Sequence, residues 1–221
     1  MAHGPVKILT FEDGPFAQNT YAVFCSDGTT AVLIDAGAGT SKALDAIEAA
    51  GRTLAAILLT HAHLDHIDGL AEAKRRTSAP TYLHPADKFI FDHGPASAQM
   101  FGVPFEEPPP PDLEITPGEP LTFGGDTFDV RFAPGHAPGH VMFVVRGQPV
   151  AFVGDVIFAG SIGRTDLPGG DLRTLMTSIR GQVLTLPGET RLLPGHGPET
   201  LVDHERRHNP FLVPQYGGEF V

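Results

Sequence analysis

Residues 60–66 read Thr-His-Ala-His-Leu-Asp-His and follow directly on the apolar run 55–59. Four metal-binding side chains fall within six positions of this stretch: His61, His63, Asp65 and His66. Imidazole nitrogen and carboxylate oxygen are ligands that zinc, iron and manganese accept. Imidazoles gathered at one strand end would otherwise leave several buried polar groups without partners. The stretch therefore predicts a metal site at the end of a strand, with a histidine-rich surface loop as the alternative.

The apolar pattern predicts strands followed by a helix, twice along the chain. Strands are expected at 6–11, 20–25, 31–34, 55–59, 121–123, 127–133, 141–146, 150–153 and 191–194. Helices are expected at 41–50, from about 65 or 66 to 76, at 85–93, at 171–184 with Asp171 as N-cap, and at 199–208. Two such halves suit an α/β sandwich of two facing sheets with helices outside. With no long flexible linker, we expect a single domain over residues 1–221.

Three later segments each place a metal-binding residue type directly after a predicted strand. His136 lies in Ala-Pro-Gly-His-Ala-Pro-Gly-His at 133–140, Asp155 in a Gly-Asp pair, and His196 in Gly-His-Gly-Pro. Each motif alone is also common in turns. Because loops at strand ends converge at one edge of a sheet, the four segments together predict one shared site.

The composition limits the classes of partner. The formal net charge is −11, which argues against a general nucleic-acid surface. No apolar run reaches the roughly 20 residues that span a bilayer. The N-terminal residues 1–7 lack the pattern of a secretory signal, and the lone Cys25 fits a reducing compartment, so we expect a cytoplasmic protein. Cys25 is interpreted as a buried hydrophobe rather than a nucleophile.

The four segments, in this order, resemble the metallo-β-lactamase superfamily over nearly the whole chain. The segment Gly-Ser-Ile-Gly-Arg-Thr-Asp-Leu-Pro-Gly-Gly-Asp at 160–171 and the ending Asn-Pro-Phe-Leu at 209–212 are similar to those of small type II glyoxalases, the hydroxyacylglutathione hydrolase-like branch. Persulfide dioxygenases share a related Gly-Arg-Thr-Asp segment. The resemblance implies the αββα fold of the superfamily, in which two mixed β-sheets face each other between flanking helices.

The resemblance also implies a role for each candidate ligand. His61, His63 and His136 would hold a first divalent metal ion. Asp65, His66 and His196 would hold a second, with Asp155 bridging both. Zinc is the first choice, and iron or manganese would also suit this ligand set. His140 is expected to support the site by hydrogen bonding or packing rather than to bind metal.

The activity implied is hydrolysis of a small-molecule thioester, such as S-lactoylglutathione or another S-2-hydroxyacyl thiol. A hydroxide bridging the two metals would attack the carbonyl, with Asp65 orienting it. The longer type II glyoxalases bind glutathione partly through a basic C-terminal domain, whereas this sequence ends at Val221. The substrate thiol is therefore either glutathione, bound in a different way, or another thiol. No nucleic-acid or membrane partner is expected.

Other activities of the same family form the alternatives. A mononuclear iron persulfide dioxygenase would use His61, His136 and Asp155, but such enzymes typically have Cys where His140 stands. A β-lactamase or nuclease is less favoured, because an export signal and basic clamp regions are not evident.

The sequence does not decide the roles of several residues expected near the site. Arg164, Asp166 and Asp171 are expected to form an Arg–carboxylate network, and Tyr21, Phe158 and Lys88 are candidates to line a pocket. Surface or core roles are expected for the remaining histidines: His3, His84, His93, His204 and His208.

Overall fold

Two six-stranded β-sheets face each other in the computed structural model, which describes residues 4–213. The first sheet consists, in spatial order, of β1 (Lys7–Asp13), β2 (Gln18–Phe24), β3 (Thr30–Ile34), β4 (Thr53–Leu58), β5 (Thr81–Leu83) and β6 (Leu113–Glu114). The second has the order β14 (Thr200–Leu201), β13 (Arg191–Pro194), β10 (Val150–Gly154), β9 (Val141–Val145), β8 (Asp126–Phe132) and β7 (Leu121–Phe123). A small ribbon pairs β11 (Ile157–Phe158) with β12 (Ser161–Ile162).

Helices cover the outer faces of both sheets. They are α1 (Thr40–Ala49), α2 (Leu64–Ile67), α3 (Leu70–Arg76), α4 (Lys88–Asp92), α5 (Gly94–Phe101), α6 (Leu172–Ser178) and α7 (Val202–His208). A 3-10 turn at Pro85–Asp87 precedes α4, and a π-helical turn at Ile179–Val183 follows α6. Both sheets are mixed, since β3, β4, β5 and β6 run parallel while β1 and β2 pair antiparallel, and only β10 and β13 are parallel in the second sheet. The predicted αββα sandwich is confirmed.

Successive side chains of the central strands point to opposite faces of each sheet, and this produces three apolar layers. In β3, Val32 and Ile34 face the second sheet, whereas Leu33 packs with the helices outside. In β4, Leu58 faces inward and Ile57 outward in the same way. Because successive strand residues point to opposite faces, a continuous apolar run is required where both faces are covered. Each fully buried side chain of this size contributes roughly 1.5–3 kcal/mol of transfer free energy, which fixes the strands that carry the site.

Two helical expectations differ from the structure, and one helix was not expected. The helix predicted up to residue 76 is divided into α2 and α3, and at the break the Gly69 N–H donates to the Ala36 carbonyl at 2.8 Å instead of to a carbonyl of the helix. The last helix begins at Val202, since Thr200–Leu201 pairs with β13. Helix α5 was not predicted at all, because its start, Gly94-Pro95, reads as a turn. Within residues 4–213, every helix is too short or too polar to cross a bilayer.

Candidate metal centre

All seven predicted ligands come together at one end of the sandwich. His61 and His63 follow β4, and Asp65 and His66 lie in the first turn of α2. His136, Asp155 and His196 follow β8, β10 and β13, respectively. The strand ends therefore form the rigid platform that the sequence predicted.

The ligand atoms form two groups that meet at Asp155. One group contains His61, His63 and His136, and another contains Asp65, His66 and His196, with the potential ligand atoms of each group within 4.8 Å of one another. The Oδ2 atom of Asp155 lies 3.4 Å from His136 Nε2 and 3.5 Å from His196 Nε2, and its Oδ1 lies 3.4 Å from His66 Nε2. Asp155 thus reaches both groups, as a bridging carboxylate must.

Hydrogen bonds to the outer ring nitrogen orient four of the five imidazoles. The Nδ1 atoms of His66, His136 and His196 lie within 2.8–3.0 Å of Asp35 Oδ2, the Arg164 carbonyl and the Phe16 carbonyl, respectively. His61 Nδ1 lies 3.0 Å from the Thr60 hydroxyl. Such bonds fix the tautomer, so that each Nε2 is left free for a metal.

His63 is turned the other way from the four imidazoles that present Nε2. Its Nδ1 atom faces the group and lies 2.8 Å from His136 Nε2. Two ring nitrogens at that distance need a shared proton or a shared cation. His63 would therefore bind metal through Nδ1.

Unpartnered buried atoms test whether divalent ions fit. His61 Nε2, His66 Nε2 and Asp155 Oδ1 are buried and have no hydrogen-bond partner among residues 4–213. Leaving such atoms unsatisfied costs roughly 1–3 kcal/mol each, more for a charged group. All three point into the groups just described, so the residues present fit metal ions. The His and Asp cluster suggests a dinuclear metal site.

The two groups differ in electrostatics. Burial and neighbouring imidazoles hold the pKa of His61 well below its usual value, and burial with the nearby His136 lowers the pKa of His63 to about 3. In the second group, burial lowers the pKa of His196, but hydrogen bonds to Asp155 and Asp65 outweigh it and raise the pKa to about 10. The first group therefore offers neutral imidazoles, while the second concentrates negative charge that attracts a cation.

Three supporting residues were not predicted from the sequence. Asp35 orients His66 through its carboxylate. Asp87 is fully buried and accepts the backbone N–H groups of Ala62 and Gly139, which ties the first ligand loop to the Pro-Gly-His loop. Asn19 donates its side-chain amide to the carbonyls of Pro194 (3.1 Å) and Gly197 (2.8 Å), on either side of His196. Asp35 was detectable, because it follows the apolar strand β3 at the same strand-end position as the ligands.

His140 occupies the supporting position expected for it. Its Nε2 atom accepts the backbone N–H of Asp155 at 3.0 Å, and its ring stacks on His61 with centroids 4.7 Å apart. It therefore packs beneath the first group of ligands.

The remaining histidines lie outside both groups. His84, His204 and His208 contact neighbouring rings away from the centre, and His93 lies on a cavity wall beside it. His3 lies outside the described residues.

The structure assigns contacts to the residues whose roles the sequence left undecided. Arg164 and Asp166 form a two-bonded ion pair, whereas Asp171 caps α6 through the Thr174 N–H instead of joining them. Phe158 lines the cavity above the centre. Tyr21 instead donates its hydroxyl to the Pro194 carbonyl, and Lys88 pairs with Asp92.

Comparison with known proteins identifies relatives over most of the chain. The sequence profile of the metallo-beta-lactamase superfamily matches residues 13–196. The hydroxyacylglutathione hydrolase GloC of Haemophilus influenzae is 39% identical over 199 residues, which cover 89% of this chain and 93% of that protein. Two solved structures superpose well: the BLEG-1 B3 metallo-beta-lactamase (TM-score 0.87, 37% identity, covering 94% of this chain and 100% of that one) and TTHA1623 in a di-iron-bound form (TM-score 0.84, 40% identity, covering 92% and 100%).

Proposed function

Because this chain belongs to the metallo-β-lactamase superfamily, we propose that it is a metal-dependent hydrolase that cleaves a thioester, such as an S-2-hydroxyacyl thiol. The superfamily and the His and Asp cluster support a metallo-hydrolase. The choice of a thioester rests on one observation, the likeness to a protein named hydroxyacylglutathione hydrolase over 93% of that protein's length.

The proposed nucleophile is water rather than a side chain. Cys25 is buried between the two sheets, and burial raises the pKa of its thiol to about 12. A thiol that stays protonated and enclosed cannot attack a substrate. Bound divalent ions lower the pKa of a water molecule toward about 7 and polarise a carbonyl group.

The metal identity is part of the proposal. His61, His63 and His136 would hold one ion, Asp65, His66 and His196 the other, and Asp155 would contact both. We propose zinc as the first candidate because imidazole and carboxylate are among its usual ligands. Iron is the second, since the relative TTHA1623 is described in a di-iron-bound form.

Asp65 is the proposed catalytic carboxylate. It lines the cavity floor, and its Oδ2 atom lies 3.0 Å from His196 Nε2. Burial raises the pKa of Asp65, but His66 and His196 outweigh that effect and keep the pKa below its usual value. An ionised Asp65 accepts a hydrogen bond from the attacking water and so orients it. The thiol that leaves has a pKa near 8.5 and departs without a general acid.

Thiol release from S-lactoylglutathione and a panel of other thioesters tests this proposal. We expect turnover by protein whose metal content is two ions per chain, and a loss of about 100-fold or more in Asp65→Asn. Metal content is measured for each protein, so that ligand loss and catalytic loss are separated. Asp129→Asn is the control, because that carboxylate pairs with Arg146 on the surface. No turnover of any thioester by fully loaded protein would contradict the proposal.

Hydrolysis of β-lactams is a second candidate function. It is favoured by the 37% identity to BLEG-1, which is described as a B3 metallo-beta-lactamase. A chromogenic cephalosporin in the same assay separates the two. A catalytic efficiency for the cephalosporin above that for every thioester would replace the first proposal with the second.

A further inference from the structure

A cavity of about 560 Å³ opens directly above the metal centre. This volume lies within the range of roughly 300–1,000 Å³ that small-molecule sites occupy. Its floor consists of five of the candidate ligands: His63, Asp65, His136, Asp155 and His196. A substrate whose reacting carbonyl meets the centre must therefore lay the rest of its length along the cavity walls.

One wall of the cavity is apolar, and residues 4–213 leave it exposed. Helices α4 and α5 contribute Phe89, Met100 and Phe101, which are 58%, 69% and 43% exposed. Phe16 packs edge-on against Phe101, with ring centroids 5.6 Å apart. A cluster of exposed apolar side chains beside a reaction centre marks a surface that gains free energy when a ligand covers it.

The segment after Asp155 supplies a second apolar wall. Phe158, Ile162, Leu167 and Pro168 line it. The Phe158 ring lies 6.0 Å from the His196 ring, so this wall begins at the metal centre itself. Apolar surface therefore continues from the ligands outward.

No unpaired cation lines this cavity among residues 4–213. Arg164 is the one lysine or arginine on its walls, and Asp166 binds both its Nε and Nη2 atoms at 2.7 Å. Asp65 and Asp155, the carboxylates at the floor, are metal ligands in the proposed site, so bound ions would offset their negative charge. A thiol such as glutathione, which carries two carboxylates, would have to compete with Asp166 for the one arginine on these walls.

We propose that this cavity binds an uncharged, apolar arm of the substrate, of the size of a medium-length alkyl chain or an aromatic ring. The inference rests on the proposed thioester hydrolysis for the identity of the reacting group. It narrows the substrate class to thioesters with such an arm and disfavours thioesters of anionic thiols. Phe101 and Met100 are the specificity-determining residues.

Calorimetric binding of unreactive thioethers tests the apolar arm without any turnover. The probes are S-methyl, S-butyl and S-hexyl thioethers of N-acetylcysteamine, which is uncharged, and of glutathione. With metal-loaded protein, we expect the Kd to fall about twofold to fourfold for each added methylene in the uncharged series. We expect the uncharged S-hexyl probe to bind more tightly than S-hexylglutathione.

A pair of matched variants locates the binding surface. Phe101→Gln should weaken S-hexyl binding about fivefold and leave S-methyl binding within twofold. Phe211→Gln is the control, because Phe211 is 44% exposed, almost the same as Phe101, and lies outside the cavity lining. A Kd independent of chain length, tighter binding of the glutathione series at every length, or an equal effect of the two variants would overturn the inference.

Kinetics separate this inference from the proposed function. We compare kcat/KM for acetyl, butanoyl, hexanoyl and octanoyl thioesters of N-acetylcysteamine with that for S-lactoylglutathione. A kcat/KM that rises with the length of the acyl chain supports both the apolar arm and thioester hydrolysis. Faster hydrolysis of S-lactoylglutathione than of every apolar thioester overturns the apolar arm and leaves thioester hydrolysis standing. If no thioester is hydrolysed but the Kd of the probes depends on chain length, thioester hydrolysis is overturned and the apolar arm stands.

Discussion

The Oδ2 atom of Asp35 lies 2.8 Å from the Nδ1 atom of His66, and both side chains are buried. The same carboxylate accepts the Thr60 backbone N–H at 2.7 Å and the Thr60 hydroxyl at 2.9 Å. Asp35 therefore joins the end of β4 to α2 and leaves His66 Nε2 aimed at Asp155. The backbone φ of Asp35 is 55°, in the left-handed region that Asp and Asn tolerate best among non-glycine residues.

Asp35→Asn should weaken metal binding by the second group about 10–100-fold and spare the first group. The amide can keep one acceptor toward Thr60, but its NH2 then faces His66 Nδ1. That nitrogen must become an acceptor, so the proton moves to Nε2 and blocks the ligand position. Metal stoichiometry and chelator competition measure the change, with Asp129→Asn as the surface control. Unchanged affinity at both groups would show that Asp35 does not set the tautomer.

Gly195→Ala should lose the second metal as well, for a steric reason. A Cβ at this position would lie 2.1 Å from Asp155 Oδ1 and 2.6 Å from His66 Cε1. Gly181→Ala is the matched control, because a Cβ there meets nothing within 4 Å. We expect about one metal ion per chain in Gly195→Ala and an unaltered content in Gly181→Ala. Two tightly bound ions in both variants would contradict this close packing.

The convergence of the seven candidate ligands could be predicted because its signal in the sequence is local. Each one follows an apolar strand directly, and strand ends meet at one edge of a sheet. The supporting contacts were harder to predict, since Asp87 lies in a helix-like stretch and its acceptors are used by backbone groups 25 and 52 residues away. No periodicity reports which N–H groups a buried carboxylate will meet. Helix α5, which carries part of the apolar wall, was missed for a different reason: its first residues, Gly94 and Pro95, are typical of a turn.

Removal of the metal should lower the thermal midpoint of unfolding by about 5–10 °C. Binding at 100 times Kd stabilises a fold by about 2.7 kcal/mol, and each kcal/mol shifts the midpoint by about 2–4 °C at this chain length. Without an ion, the buried His61 Nε2, His66 Nε2 and Asp155 Oδ1 atoms have no hydrogen-bond partner in the described part of the chain. Calorimetric scans with and without chelator measure the shift, and chelator already saturated with zinc is the control. Equal midpoints in all three scans would argue against a metal bound by the folded state.

Asp87 should make stability fall as the pH rises from about 4 to about 6. Burial raises the pKa of Asp87 to about 6, against backbone hydrogen bonds that lower it, while the unfolded value is 3.8. In that window the folded state binds more protons than the unfolded state, so the free energy of unfolding decreases by about 2–3 kcal/mol and is flat above it. Asp87→Asn lacks this dependence. Denaturant unfolding of both proteins in chelator, at pH 4 and 6.5, measures the difference, and parallel profiles would contradict it.

Asp166→Asn should move ligand preference toward anions by freeing Arg164 on the cavity wall. Both side chains are more than half exposed, so loss of their pairing should change stability by less than about 1 kcal/mol. The Kd for S-hexylglutathione should fall about twofold to threefold relative to the uncharged S-hexyl probe, and added salt should abolish the gain. Asp203→Asn, which frees Arg206 and Arg207 outside the cavity lining, is the matched control. Equal ratios in the two variants would mean that the Arg164–Asp166 pair does not determine the charge preference of the cavity, and the apolar walls alone would then have to account for it.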